Sequence, residues 1–159
     1  MGNVSLTGIL TVFFTAMLPV WELKGAIPMG IIGFNMSMEQ AFWTAYLGSS
    51  IPSIFIVLFI EKIINKLTDS KISFFRRVAR WIKAKVKKHQ YKINKYGYLG
   101  IFLFVAIPLP GTGIWTGSLL AAMMGLKPKI VIPLIFVANL IAGLAMLGIT
   151  ALGGHILDI

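Results

Sequence analysis

Thiols, acidic residues and histidines are scarce or missing in this 159-residue chain, which has no cysteine, five acids and two histidines. The lack of cysteine excludes thiol nucleophiles and thiolate metal sites. The few acids and histidines form no dyad, triad or metal-ligand cluster along the sequence, so we predict no catalytic residue, no metal site and no cofactor. We therefore expect a protein that is not an enzyme. Long polar stretches are also rare, because 57% of the residues are hydrophobic and the mean hydropathy is +0.85. Such a composition excludes soluble globular and disordered chains and predicts a membrane protein.

Positive charge is abundant but confined to one segment. Residues 61–97 hold twelve of the fifteen Lys and Arg residues and two acids, a net charge of +10, whereas the charges of the remaining sequence sum to zero. By the positive-inside rule, we expect segment 61–97 on the cytoplasmic side of the cell membrane and the protein to be a multi-pass protein of that membrane.

The same segment has the pattern of an amphipathic helix. Phe75, Val78 and Ile82 recur at helical spacing, and most cations fall on the other side: Arg76, Arg77, Arg80, Lys83, Lys87 and Lys88. Such a helix is suited to lie on an anionic lipid leaflet, so we predict membrane lipids as partners. The alternative is that the helix docks on the protein's own cytoplasmic surface. We expect no nucleic-acid binding.

Two apolar runs, 41–60 and 130–153, are long enough to cross about 30 Å of hydrocarbon. Each long run follows two shorter apolar pieces that are joined at a break containing proline and glycine. The two pieces lie within 4–36 in the first half and within 98–125 in the second. We therefore predict an all-α integral membrane protein with a single domain. Residues 1–60 form a first repeat, 61–97 a basic amphipathic segment that contains a central amphipathic helix, and 98–159 a second repeat.

The lysines decide how we interpret the short pieces, which at ten to twelve residues cover only about 15–18 Å. If 98–125 crossed the membrane, Lys127 and Lys129 would emerge outside, whereas a re-entrant hairpin returns them to the basic side. We therefore predict a re-entrant hairpin at 98–125 from inside and one at 4–36 from outside. These form an inverted repeat whose tips meet near the midplane. Simple kinks in ordinary helices are the open alternative. So short a chain is expected to act as a homodimer or higher homo-oligomer.

The first break carries the only ionisable residues of the first apolar stretch, Glu22 and Lys24. Charges inside a membrane are costly and usually functional. We predict that Glu22 carries a proton, and that Lys24 is its charge partner or a ligand for an anion. A shallow hairpin, in which both side chains reach interfacial water, is the alternative.

The second break opens a half-helix whose free backbone N–H groups suit an anion such as a phosphate. Together with Glu22 and Lys24, the predicted substrate-binding residues are Pro108, Pro110, Gly111, Thr112, Gly113, Trp115 and Thr116. In the last span, Asn139 is expected to form a helix–helix hydrogen bond, with a role as substrate ligand as the alternative.

Three motifs, LPVWELKGAIP (18–28), KYGYLG (95–100) and VAIPLPGTGIWTGSL (105–119), resemble the small multidrug export protein family over nearly the whole chain. Lys24 stands where that family usually has Arg, and Ser49 where it tends to have Asn. The layout is also similar to the DedA superfamily. That similarity implies paired re-entrant hairpins and proton-dependent transport, including flipping of polyprenyl-phosphate carrier lipids. The arginine-bearing second motif of those relatives is replaced here by the PLPGTG turn.

The main functional prediction is a proton-coupled transporter or lipid flippase. Its substrate would be anionic and phosphate-bearing, in the manner of a polyprenyl phosphate, and would pass between the two hairpin tips. Two alternatives are kept: a small exporter of cationic drugs, and a non-transporting membrane adaptor that uses its basic helix.

Overall fold

The computed structural model describes residues 5–94, 96–109 and 111–156, without the side chains of residues 85, 86, 88–94 and 154–156. Every regular element in these ranges is helical, so the all-α prediction is confirmed. A π-helical turn, Met29–Gly33, continues the second helix. The α-helices are α1 (Leu6–Met17), α2 (Glu22–Pro28), α3 (Met38–Thr68), α4 (Ser73–Asn94), α5 (Gly97–Ala106), α6 (Ile114–Met123) and α7 (Pro128–Ile156).

In both halves the first helix ends just before the residue that precedes a proline. Leu18, before Pro19, and Ile107, before Pro108, are both extended, with ψ angles of 139° and 117°. A residue before proline is driven out of the helical region because the proline ring crowds its backbone. We call residues 18–21 the first break and residues 107–113 the second break.

Within the described ranges, two helices are long and apolar enough to cross a membrane, α3 over its whole length and α7 over Pro128–Gly153. This agrees with the two predicted spans, but α3 is 31 residues long rather than 20. It begins early because Ser37 and Gln40 form a reciprocal capping box, in which each side chain accepts from the other residue's backbone N–H. It ends late because no proline or glycine interrupts residues 61–68. Residues 61–68 of the predicted basic segment thus continue α3, and the amphipathic helix predicted within that segment is a separate helix, α4, which begins at Ser73.

The two halves pack on each other in a reciprocal way. Helix α1 packs on α3 and α5 on α7, while α6 contacts α3 of the first half and α2 contacts α7 of the second. Helices α3 and α7 also contact each other. Each of these contacts made by one half thus has a counterpart made by the other.

Polar side chains also join α3 to α7. Asn139 Nδ2 donates to Ser49 Oγ at 2.9 Å, and the Tyr46 hydroxyl donates to the Phe136 carbonyl at 3.3 Å; both pairs are 90 residues apart. Asn139 also donates to Ser50 Oγ at 3.2 Å. The predicted helix–helix hydrogen bond of Asn139 is therefore confirmed.

Helix α4 docks on the bundle through its small and apolar residues. It contacts α3, α5 and α6, with Ala79 fully buried and Ile82 packed against the core of the second half. Arg76, Arg77 and Arg80 are exposed on its other side. The self-docking alternative thus has direct support in these contacts.

Candidate functional site

The start of α2 contacts the second break of the other half. Lys24 lies in the first turn of α2, and its ammonium group reaches across to the second break. There Nζ donates to the carbonyl of Leu109 at 2.9 Å and to the carbonyl of Thr112. We call the contacts among Glu22, Lys24, Leu109, Thr112 and Trp115 the break junction. The break junction joins the first half of the sequence to the second.

Glu22 is the acid of this junction and is only 5% exposed. Its Oε1 accepts a hydrogen bond from the backbone N–H of Trp115 at 3.2 Å, and Oε2 lies 3.9 Å from Lys24 Nζ. Trp115 is the second residue of α6, so the carboxylate occupies the N-terminus of that helix. A helix N-terminus favours negative charge because its first N–H groups have no partner within the helix and the helix dipole is positive there.

The backbone of Glu22 is held in an uncommon conformation, with φ at +46°. Residues with a Cβ enter this left-handed region at an energetic cost, so the surrounding contacts must hold it there. The prediction that Glu22 and Lys24 lie within the first break is wrong, because α2 begins at Glu22 and both residues lie in its first turn.

Trp115 connects the same helix end to α1. Its indole Nε1 donates to the carbonyl of Met17, the last residue of α1, at 3.1 Å. One residue of α6 thus contacts both sides of the first break, the end of α1 through its side chain and the start of α2 through its backbone.

The second break is shaped by its own threonine. The Thr112 hydroxyl lies 2.8 Å from the Ile107 carbonyl and 2.9 Å from the Leu109 carbonyl, and it accepts from the Leu109 N–H at 3.2 Å. These bonds turn the loop so that the carbonyls of Leu109 and Thr112 point at Lys24. Gly113 follows, and a Cβ at this position would overlap the carboxylate of Glu22. Only glycine lets the acid approach the start of α6.

The predicted substrate-binding residues divide by location. The structure brings Glu22, Lys24, Thr112, Gly113 and Trp115 together in one place. Pro108 and Thr116 are half-buried beside them, Gly111 is exposed, and Pro110 lies outside the described residues. Substrate binding by this set stays a prediction.

Backbone groups complete the site, and the sequence did not reveal them. The carbonyls of Leu109, Thr112 and Met17 are ligands of Lys24 and Trp115, but any residue type supplies a carbonyl. A depression of about 260 Å³ adjoins the junction and is lined mainly by apolar residues of α5 and the second break, among them Leu103, Ile107 and Leu109.

Comparison with known proteins decides the family. The model of the family described as "Putative small multi-drug export protein" matches residues 22–145, most of the chain. The chain belongs to this family. The family predicted from the three motifs is therefore confirmed, and membership indicates a membrane protein with an export or transport role. No match was found among curated proteins or among solved structures.

The match to the export family begins at Glu22 and includes all of the break junction. It also includes α4 with its predicted membrane-surface residues. Lys83 is half-buried, Lys87 is exposed, and the side chain of Lys88 lies outside the described residues.

Proposed function

We propose that this export-family protein is a proton-coupled transporter or lipid flippase that moves an anionic, phosphate-bearing substrate through the break junction. Family membership supports transport, and the chemistry of the junction supports the charge of the substrate. Binding and translocation, rather than catalysis, are the role proposed for the junction residues.

One observation carries the proposal: the chain's own carboxylate occupies the N-terminus of α6. Glu22 accepts the Trp115 N–H there and lies close to the ammonium of Lys24. A phosphate group uses the same two partners, backbone N–H groups at a helix start and a lysine. Glu22 therefore holds the place that an anionic substrate would take, and the two compete for it.

Protonation of Glu22 would resolve this competition. A neutral carboxyl no longer pairs with Lys24 and no longer makes a charge-assisted bond with the N–H of Trp115. The junction is then left with the net positive charge of Lys24 and with the positive end of the α6 dipole. Proton binding and anion binding consequently favour each other, which is the thermodynamic basis of coupling.

The apolar depression beside the junction favours an amphiphilic substrate. Leu109 belongs to both, because its carbonyl binds Lys24 and its side chain lines the depression. A lipid could place its phosphate at the junction and its hydrocarbon against α5.

For the membrane arrangement we propose two re-entrant hairpins in an inverted repeat, with α4 on the cytoplasmic side and a homodimer as the working unit. The reciprocal helix contacts and the paired positions 90 residues apart support two-fold related halves. Helices α5 and α6 have ten residues each, about 15 Å, which suits half a bilayer better than a full crossing.

A lipid-flipping assay tests this function. The purified protein would be reconstituted in liposomes that carry a fluorescent short-chain phosphatidic acid or, in parallel, phosphatidylcholine, and dithionite quenching would report flipping with and without a pH gradient. We expect flipping of the phosphatidic acid and acceleration by the gradient in the wild type. In Glu22→Gln, whose neutral amide resembles the protonated acid, we expect flipping that no longer responds to the gradient. Glu39→Gln is the matched control, since Glu39 is an exposed acid in the first turn of α3. A Glu22→Gln variant with the wild-type rate and pH response would overturn the proposal.

Export of cationic drugs is the second candidate, and the description of the family favours it. In that case Glu22 would bind the cation, and Lys24 would pair with Glu22 when no substrate is bound. Uptake of ethidium into inverted vesicles separates the two functions. If the substrate is a cation, Lys24→Ala should retain ethidium transport. If the substrate is an anion, Lys24→Ala should abolish phosphatidic acid flipping.

A further inference from the structure

A second group of cationic side chains lies away from the break junction, at the corner between the end of α3 and the start of α4. A depression of about 390 Å³ at this corner is lined by Thr68, Arg76 and Arg80. Thr68 is the last residue of α3, and the two arginines are one turn apart on α4. Side chains at positions i and i+4 of a helix lie on the same face, so both guanidinium groups border one opening.

The positive charge of this depression has no carboxylate partner in the part of the chain that the structure describes. The one ion pair there is Glu22–Lys24. Arg80 Nε donates to the carbonyl of Arg76 at 3.3 Å, which holds the side chain along the helix and leaves its terminal nitrogens for another ligand. The Thr68 hydroxyl donates to the Ile64 carbonyl at 2.8 Å. Thr68 therefore forms part of the wall of the depression, and the two arginines supply the hydrogen-bond donors for a ligand.

The surroundings of the depression are those of a membrane interface. It lies at the end of α3, a helix that is apolar and long enough to span a bilayer. Large apolar side chains nearby on the chain are exposed: Ile72 by 55%, Phe74 by 67% and Trp81 by 63%. Apolar side chains that enter the acyl boundary next to arginines at headgroup depth are typical of an interfacial amphipathic helix.

We propose that Arg76 and Arg80 bind the phosphate group of an anionic membrane lipid in this depression. Guanidinium groups match phosphate oxygens with paired, charge-assisted hydrogen bonds. A free phosphate ion offers the same chemistry and is separated from the lipid by the test below. The site is independent of the function proposed for the break junction, because it shares no residue with it.

Binding of dioctanoyl phosphatidic acid to the full chain in detergent micelles tests the site. We expect saturable binding, and a loss on the order of tenfold or more in the double variant R76Q/R80Q, because two charge-assisted hydrogen bonds are removed. The matched control is R77Q/K83Q. It removes the same charge from the same helix, but neither residue lines the depression, and we expect a change of less than about threefold from screened surface charge. Asp69→Asn should strengthen binding, because Asp69 follows Thr68 and its negative charge opposes an anion.

The outcomes separate a defined site from diffuse attraction. Equal weakening by both double variants, or no saturable binding by the wild type, would overturn the proposal. Competition with inorganic phosphate identifies the source of the phosphate group. Displacement at millimolar concentration shows that the site accepts free phosphate, and resistance to it shows that the site requires the lipid; phosphate recognition is supported in both cases.

Discussion

The carboxylate of Glu22 lies at the N-terminus of α6, where it accepts the backbone N–H of Trp115 at 3.2 Å. These residues are 93 positions apart and belong to different halves of the chain. The contact therefore fixes the start of α2 against the start of α6. Any movement that separates the two halves at this point must first find another partner for a buried acid, because an unpaired buried charge is costly.

Removing the ammonium of Lys24 should destabilise the protein, and removing its partner charge as well should restore part of the loss. Lys24→Met leaves the carboxylate of Glu22 buried without its counter-ion, and we expect a loss of about 3 kcal/mol in the free energy of unfolding. The double variant Glu22→Gln/Lys24→Met should lose less, because no charge is left unpaired. Unfolding in mixed detergent–SDS micelles measures both. Lys129→Met, an exposed lysine at the start of α7, is the control and should change little. A double variant as unstable as Lys24→Met would contradict the pairing.

A methyl group at position 113 should displace Glu22 from the helix start. The Cβ of Gly113→Ala would overlap the carboxylate, and its φ of +154° is also unfavourable for alanine. We expect a loss of about 2 kcal/mol or more in the free energy of unfolding. Gly148→Ala is the comparison, since a Cβ at this helical position meets nothing within 4 Å; it should be neutral or stabilise by up to about 1 kcal/mol. Equal stability of the two variants would show that Glu22 does not lie against Gly113.

The indole of Trp115 should contribute one hydrogen bond to the attachment of α1. Trp115→Phe removes the Nε1–H that binds the Met17 carbonyl, while the backbone N–H that binds Glu22 stays. We expect a loss of about 1 kcal/mol and faster hydrogen exchange at the end of α1. Trp43→Phe serves as the control, because Trp43 is 52% exposed on α3 and contacts Phe42 and Tyr46 through ring edges that phenylalanine keeps. An unchanged exchange rate at Met17 in Trp115→Phe would count against this contact.

The amide of Asn139 and the hydroxyl of Ser49 should be energetically coupled. A double-mutant cycle of Asn139→Ala and Ser49→Ala in the same unfolding assay should give a coupling of about 0.6 kcal/mol, with about 1.7 kcal/mol as the upper end for hydrogen bonds between membrane helices. A cycle with Thr11→Ala in place of Ser49→Ala should give none, because the Thr11 hydroxyl bonds within α1. Zero coupling for the Asn139–Ser49 pair would show that α3 and α7 are held by other contacts.

Local signals predicted most of the helices. Pro19 and Pro108 marked the ends of α1 and α5, because proline constrains the residue before it. The two longest apolar runs marked α3 and α7, because only they match a bilayer in length. The extension of α3 to Thr68 was not predicted, because the apolar run ends at residue 60 whereas the helix continues through the charged residues that follow.

The composition of the break junction was predicted more completely than its contacts. Glu22, Lys24, Thr112 and Trp115 were identified from the sequence, as charges and a helix start within apolar sequence, and Leu109 was not. Their arrangement could not be predicted, because the ligands of Lys24 are backbone carbonyls. We expected the start of α6 to be open to a substrate, and in this structure Glu22 occupies it.

The sequence by itself determined that this is a helical membrane protein, that its positive charge lies between two similar halves, and that one acid and one lysine lie within apolar sequence. These properties follow from hydropathy, from charge and from the restricted backbone of proline, all of which are local. Only the tertiary structure decided that Glu22 faces Trp115 and that Ser49 meets Asn139. Contacts between residues about ninety positions apart depend on how whole helices pack, and no local pattern encodes that geometry.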